Sequence, residues 1–296
     1  RETLATLGQA AVQGGFGTVV LMPDTSPPRA HATEVRATLH QGASLPCRVH
    51  AAACLTIDRE GVDPTEWGEL ASAGAVALGD CRPLADSSLV RRALTYLRDW
   101  NIPVLADCID MSLAAGAAGR ESFYGTVYGL RGMPSEAEEV ALARDLVLTR
   151  LAEGRLHVQR ITTKAAVDLI ARAKDAGLAV TAEVSWLHLL KTDEALASYD
   201  TSLKVWPPLG TEEDRQALLD AVRSGVVDAI VSDHTPYTLE EKDVEFDQAP
   251  WGAAGIEHVL PALWSELVEP GILTPEVLVE RLTSGPARAF GLDFGG

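Results

Sequence analysis

The sequence predicts an α/β fold, a TIM-like (β/α)8 barrel, and three observations lead there. Short runs rich in Val, Ala, Ile and Leu alternate with amphipathic stretches of helical length along almost all of the 296 residues. Polar or turn-forming residues recur immediately after those runs. The chain is also long enough for a large core, since one α/β barrel of roughly 250 residues is ordinary. Residues 1–296 are therefore read as one domain.

The expected strands are, in order, Gly17 to Met22, Arg48 to Leu55, Ala75 to Leu78, Pro103 to Ala106, Leu156 to Ile161, Ala179 to Val184 and Asp228 to Ser232. Between them Ser87 to Trp100, Ser135 to Glu153, Thr163 to Asp175 and Glu212 to Arg223 are each long enough for a right-handed crossover between parallel strands. Pro23-Asp24-Thr25, Gly79-Asp80-Cys81, Asp107-Cys108, Thr162-Thr163 and Asp233-His234 follow strands. In a barrel those positions form the C-terminal mouth, where function resides. A doubly wound sheet would also carry polar residues there, so strand-end chemistry alone does not choose between the two. Seven strands are one short of closure, and open edges need cover. Either the chain begins after the first strand or another segment plugs the gap. It ends at Phe294-Gly295-Gly296, where no terminal helix is expected.

Composition narrows the function classes. Apolar residues make up 47% and charged residues 23%, the balance of a folded globular protein. A formal net charge of −17 opposes nucleic-acid phosphates and anionic membranes alike. No apolar run approaches the roughly 20 residues that span a bilayer, and Arg1-Glu2-Thr3 does not open a signal peptide, so a cytoplasmic protein is expected. Cys47, Cys54, Cys81 and Cys108 form no CxxC pair, which predicts reduced thiols rather than a zinc knuckle or disulfide framework.

Several motifs narrow the reading further. Gly14-Gly15-Phe16-Gly17-Thr18-Val19-Val20-Leu21-Met22-Pro23-Asp24-Thr25-Ser26-Pro27-Pro28 is similar to GGFTTVVxMPNTxPP. Thr181-Ala182-Glu183-Val184, then Lys204-Val205-Trp206-Pro207-Pro208-Leu209, then Asp228 to Thr238 resemble TAEVTPHHL, KVNPPLR and DAIATDHAPHT in that order. Ala249 to Glu257 resembles APxGxxGLE, and Thr283 to Arg288 resembles TSNPAR. These are motifs of the dihydroorotase branch of the amidohydrolases, and the resemblance runs the whole length. It implies a barrel of the amidohydrolase type, here without its first strand, the HxHxR motif that closes that strand, and the small terminal β-sandwich.

The resemblance also implies where a metal and a substrate would sit. Relatives open or close a cyclic amide with one or two zinc ions held by imidazoles and carboxylates. Asp80 stands at the carboxylate after the fourth family strand, with Cys81 replacing its acidic neighbour. Asp107 replaces the histidine of an HxED-like turn. In Leu156-His157-Val158-Gln159-Arg160-Ile161-Thr162-Thr163-Lys164, similar to HIxHVSTK, the outer histidine stays and Arg160 replaces a ligand histidine. Asp233 keeps the general-base position. Asp80, Asp107 and Asp233 would be the metal set only if a metal binds. A guanidinium has no lone pair to donate and stays protonated, so Arg160 is expected in the vacated volume, neutralising Asp80, Asp107 and Asp233 through bidentate hydrogen bonds. At substrate-facing positions Asp24, Trp206, Gly210 and Tyr237 replace an asparagine, an asparagine, an arginine and a histidine, and His188 survives in a turn that loses a second histidine. Those exchanges oppose an anionic ring.

Local roles compete at each position. His157, His188 and His234 suit hydrogen-bonded barrel histidines. Asp80 and Asp233 suit ion pairs, turns or caps, and Asp24 suits a Pro-flanked turn. Trp206 and Tyr237 suit packing. Three functions follow. The first is an inactive dihydroorotase homologue without cofactor, acting in a homo- or hetero-oligomer as a structural partner of aspartate carbamoyltransferase. The second is an active zinc-dependent cyclic amidohydrolase with a reduced site on Asp107, Asp233 and an upstream HxH. The third is a small-molecule sensor using the mouth as a pocket.

Overall fold

The computed structural model describes residues 2–292. Its strands are β1 (Thr18–Leu21), β2 (Arg48–Ala53), β3 (Ala75–Leu78), β4 (Val104–Ala106), β5 (Gly119–Arg120), β6 (Gly132–Met133), β7 (Leu156–Val158), β8 (Val180–Ser185) and β9 (Ala229–Val231). A seven-stranded sheet runs β1-β2-β3-β4-β7-β8-β9, with every neighbouring pair parallel. This is a partial (β/α)8 barrel, and all seven expected strands are in it. β5 and β6 form a separate two-stranded ribbon in the excursion after β4.

Strand alternation divides the core in two. Val104, Ala106, Leu156, Val158, Val180, Ala182 and Val184 face outward into the main core, against the helices Ser87–Arg98, Glu136–Ala152 and Lys164–Asp175. Leu105, His157 and Thr181 are register partners on the other face and form one layer of the barrel interior. Helix starts follow capping chemistry: the Asp86 carboxylate accepts from Ser88 N at 2.7 Å, and Thr211 and Asp214 cap each other at the start of Glu212–Ser224.

Two expectations about the chain ends change. Helices Pro275–Leu282 and Ser284–Phe290 follow β9, and Phe290 packs with Ala52, Ala77 and Leu105 in the barrel interior. Residues 294–296, where an abrupt stop was expected, lie outside the described residues. Among the described residues β1 and β9 are edge strands not paired to each other. Helix Leu4–Gln13 and the 253–258 segment lie along that seam: Ala11 and Ile256 share an apolar cluster that Val19 of β1 packs against, and Glu2 reaches His234 after β9. Gly14 makes this approach possible, because a Cβ there would lie 2.1 Å from the Ile256 carbonyl oxygen.

Candidate functional site

The strand ends β3, β4, β7 and β9 deliver Asp80, Asp107, Arg160 and Asp233 to one mouth. Cys81, Arg160 and Asp233 have φ of 50°, 48° and 45°, the left-handed region that costs non-glycine residues on the order of 1–3 kcal/mol. The chain thus turns sharply at the ends of β3, β7 and β9, where Asp80, Arg160 and Asp233 reach the mouth.

Arg160 stands between two carboxylates. Its Nη2 donates to Asp107 Oδ2 at 3.3 Å and its Nη1 to Asp233 Oδ1 at 3.4 Å, with side-chain exposures of 15%, 1% and 12%. The expected doubly bonded fork on one carboxylate does not form; one nitrogen goes to each. Trp206 closes the group from the side, donating Nε1–H to Asp107 Oδ2 at 3.0 Å while its ring meets Trp251 edge-on at 5.3 Å. Lys204 Nζ lies 4.8 Å from the centre of the Trp251 ring, a cation–π contact at the same rim.

Asp80 departs from expectation. Its Oδ1 accepts from Leu55 N at 2.8 Å and Thr56 N at 3.0 Å, and its Oδ2 accepts from the Thr56 hydroxyl. The carboxylate therefore ties the loop after β2 to the end of β3 and does not pair with Arg160. The other substrate-position residues also disperse. Asp24 is exposed on the loop after β1. Gly210 is buried in the turn before Glu212–Ser224, where a Cβ would meet Asp214 Oδ2 at 3.0 Å and the Thr162 carbonyl oxygen at 3.1 Å. The Tyr237 ring receives the Lys242 ammonium at 5.3 Å.

Each surviving histidine is hydrogen bonded. His157, fully buried inside the barrel, places Nε2 2.9 Å from Glu183 Oε2 and Nδ1 2.8 Å from Thr181 Oγ1. His188 donates Nε2–H to the Pro207 carbonyl at 3.0 Å, and burial lowers it to about 4, so it stays neutral. His234 Nδ1 accepts from Gly255 N at 3.1 Å, leaving Nε2 to face Glu2 at 3.1 Å.

Sequence reasoning missed three buried groups. Glu183 belongs to the Thr181–Val184 motif, and the alternation that puts Thr181 inside the barrel puts Glu183 there too. Arg29 donates to the carbonyls of Leu21, Met22 and Ala52 at 3.2, 3.1 and 2.8 Å and so staples β1 to β2. Arg120, on β5, donates to Thr162 Oγ1, which in turn donates to Glu138 Oε2 at 2.7 Å. Nothing local in the sequence marks either arginine as buried.

Two anions face one cation at the mouth, and burial rather than that charge count sets their protonation. Burial raises Asp107 above the ordinary 3.8, and Arg160 offsets this only in part; its Oδ1 has no donor among the described residues. Asp233 is raised for the same reason. Burial opposes the charge on Arg160, but Asp107 and Asp233 together outweigh it, so the guanidinium stays protonated. A carboxyl with a raised folded-state pKa binds its proton more tightly in the fold than in the open chain. Its contribution to stability is complete below 3.8 and is lost as pH rises through the raised value. Asp107→Asn removes this dependence, so variant and wild type compared by urea unfolding should diverge in the variant's favour as pH rises above that ordinary value. Parallel curves would contradict the assignment.

The residues present do not fit a zinc centre. Among the described residues no three His, Cys, Asp or Glu side chains are grouped to hold a metal ion, and the space between Asp107 and Asp233 is spanned by a cation that has no lone pair.

Comparison with known proteins agrees with the barrel and its motifs. A family model described as dihydro-orotase-like matches residues 1–166. The dihydroorotase of Pelotomaculum thermopropionicum is 40% identical over 296 residues, which is 100% of this chain and 69% of that protein. The chain belongs to the dihydroorotase family. Among solved structures, the L-hydantoinase (dihydropyrimidinase) of Arthrobacter aurescens superposes with a TM-score of 0.85 at 22% identity, covering 98% of this chain and 66% of that one. The inactive dihydroorotase-like domain of the Chaetomium thermophilum CAD-like multifunctional protein superposes with a TM-score of 0.66 at 20% identity, covering 98% and 74%. Both likenesses show the same barrel fold. The chain spans about two thirds of the length of these relatives. Among the described residues no helix of this dihydroorotase relative is long and apolar enough to cross a membrane.

Proposed function

We propose that this chain is a non-catalytic dihydroorotase homologue of pyrimidine biosynthesis, a cytoplasmic structural partner of aspartate carbamoyltransferase that works without a metal cofactor. One observation carries the reading: Arg160 bridges Asp107 and Asp233 at 3.3 and 3.4 Å, in the place where the family motif has a ligand histidine. A dication a few ångströms from a permanent guanidinium charge would be repelled in a partly buried site. The tight turn around Gly210 and the Trp206 side chain add to it, because Gly210 has no side chain to donate and the Trp206 N–H is already given to Asp107.

The second reading, an active zinc-dependent cyclic amidohydrolase, is favoured by the dihydroorotase names of relatives as much as 42% identical. One set of measurements on the full-length gene product separates them. Metal analysis is expected to find zinc well below one per chain, ring opening of dihydroorotate and ring closure of carbamoyl aspartate are expected at background, and the transferase should co-elute. Stoichiometric zinc with turnover would favour the enzyme and overturn the proposal.

A further inference from the structure

Three helices on the outer wall of the barrel line a groove of about 570 Å³ that shares no residue with the mouth. Arg36 of helix Ala32–Gly42 stands on one wall, Glu66 and Glu69 at the start of helix Trp67–Ser72 on the next. Tyr96 and Trp100, at and just past the end of helix Ser87–Arg98, form the third. Both aromatic rings stand open, 47% and 42% exposed. Gly68 leaves the room between them and the second wall, since a Cβ there would lie 2.5 Å from the Tyr96 hydroxyl oxygen and 3.7 Å from Cζ2 of Trp100. The Tyr96 ring is held from behind: Trp67 meets it edge-on at 5.7 Å, and the Trp67 Nε1–H donates to the Leu55 carbonyl at 2.8 Å. Leu55 N–H is one of the donors to Asp80, so this wall is tied to the loop after β2.

The charges in the groove are unpaired. Among the described residues the side chains of Arg36, Glu66 and Glu69 make no hydrogen bond and no ion pair, although all three line the same space. One cation and two anions, too far apart to pair with each other, leave the groove with a net charge of −1 and call for a ligand of the opposite layout. An apolar ligand would cover three charges without satisfying them. An anionic one would meet two glutamates on a chain whose net charge is −17. A free amino acid with a cationic side chain carries one anion and two cations and answers every group. Its carboxylate can take the Arg36 fork, its α-ammonium and side-chain cation can face Glu66 and Glu69, and the side-chain cation can lie against the Tyr96 and Trp100 rings. Arginine suits this better than lysine, because a planar guanidinium stacks on aromatic faces and grips a carboxylate with two N–H groups.

We infer that the groove between helices Ala32–Gly42, Trp67–Ser72 and Ser87–Arg98 is a binding site for a free basic amino acid, L-arginine foremost. Its contacts are open to solvent, so the Kd is on the order of 1 mM and rises with salt.

Isothermal titration calorimetry of the full-length protein with L-arginine tests this, with far-UV circular dichroism to confirm that each variant folds. L-Argininamide, which lacks the carboxylate, and the Arg36→Glu variant should each weaken binding by about tenfold or more. Trp100→Ala should weaken it by about threefold to tenfold. A carboxylate and a guanidinium also occur together at the C-terminal arginine of a polypeptide. Nα-acetyl-L-arginine stands for that source and should bind about fivefold more weakly than L-arginine, because its amide carries no charge to the glutamates. Glu66→Lys combined with Glu69→Lys should reverse the preference, so that L-glutamate binds in place of L-arginine. Hydrogen exchange at saturating L-arginine should show added protection in residues 32–37, 66–72 and 95–100. Absence of binding at roughly ten times the expected Kd, an acetylated ligand that binds as tightly as the free one, a folded double variant that still prefers L-arginine, or protection confined to other segments would each overturn the inference.

Discussion

Arg160→Ala should destabilise the protein by about 3–5 kcal/mol near neutral pH, because it leaves Asp107 and Asp233 without the cation they share. Urea unfolding is the measurement, and Arg160→Met provides the control for shape. The methionine fills most of the volume without the charge, so a comparable loss in both variants assigns the effect to the guanidinium. The loss should shrink in acid, where both carboxyls take up protons and no longer need a counter-charge. A change below about 1 kcal/mol in both variants would mean the cluster is not what organises the mouth.

Phe290→Ala should cost a similar amount, about 3–5 kcal/mol, through a different mechanism. The Phe290 ring is 8% exposed, lies 5.0 Å from the His157 ring and packs with Ala52, Ala77 and Leu105. Two of those three neighbours are alanines, too small to collapse into the space a deleted ring leaves, so the cavity should persist beneath the His157–Glu183 pair. A loss under about 1.5 kcal/mol would show that the interior can close over the gap.

The fold was legible because its signal is periodic. Outward strand residues such as Val104, Leu156 and Val180 and the helices between them repeat often enough to place each strand of the seven-stranded sheet to within a few residues. The β5–β6 ribbon was not legible, since its two-residue strands carry no pattern. At the mouth, the pairing of Arg160 with Asp107 and Asp233 was readable from charge and strand order. The detachment of Asp80 was not. Which of two nearby partners a carboxylate takes depends on loop geometry at Leu55 and Thr56, where two N–H groups and a hydroxyl outnumber what one distant guanidinium nitrogen offers. Arg29, Arg120 and Glu183 escaped because burial of a charged residue is set by neighbours distant in sequence.

The engagement of Asp80 works as a ratchet. To bring Asp80 into the mouth beside Asp107 and Asp233 the chain would have to exchange Arg160 and, in addition, pull Asp80 away from the three donors of Leu55 and Thr56, stranding them in a dry interior at about 1–3 kcal/mol for each such group. A single substitution at position 160 would thus meet an uphill rearrangement two strands away.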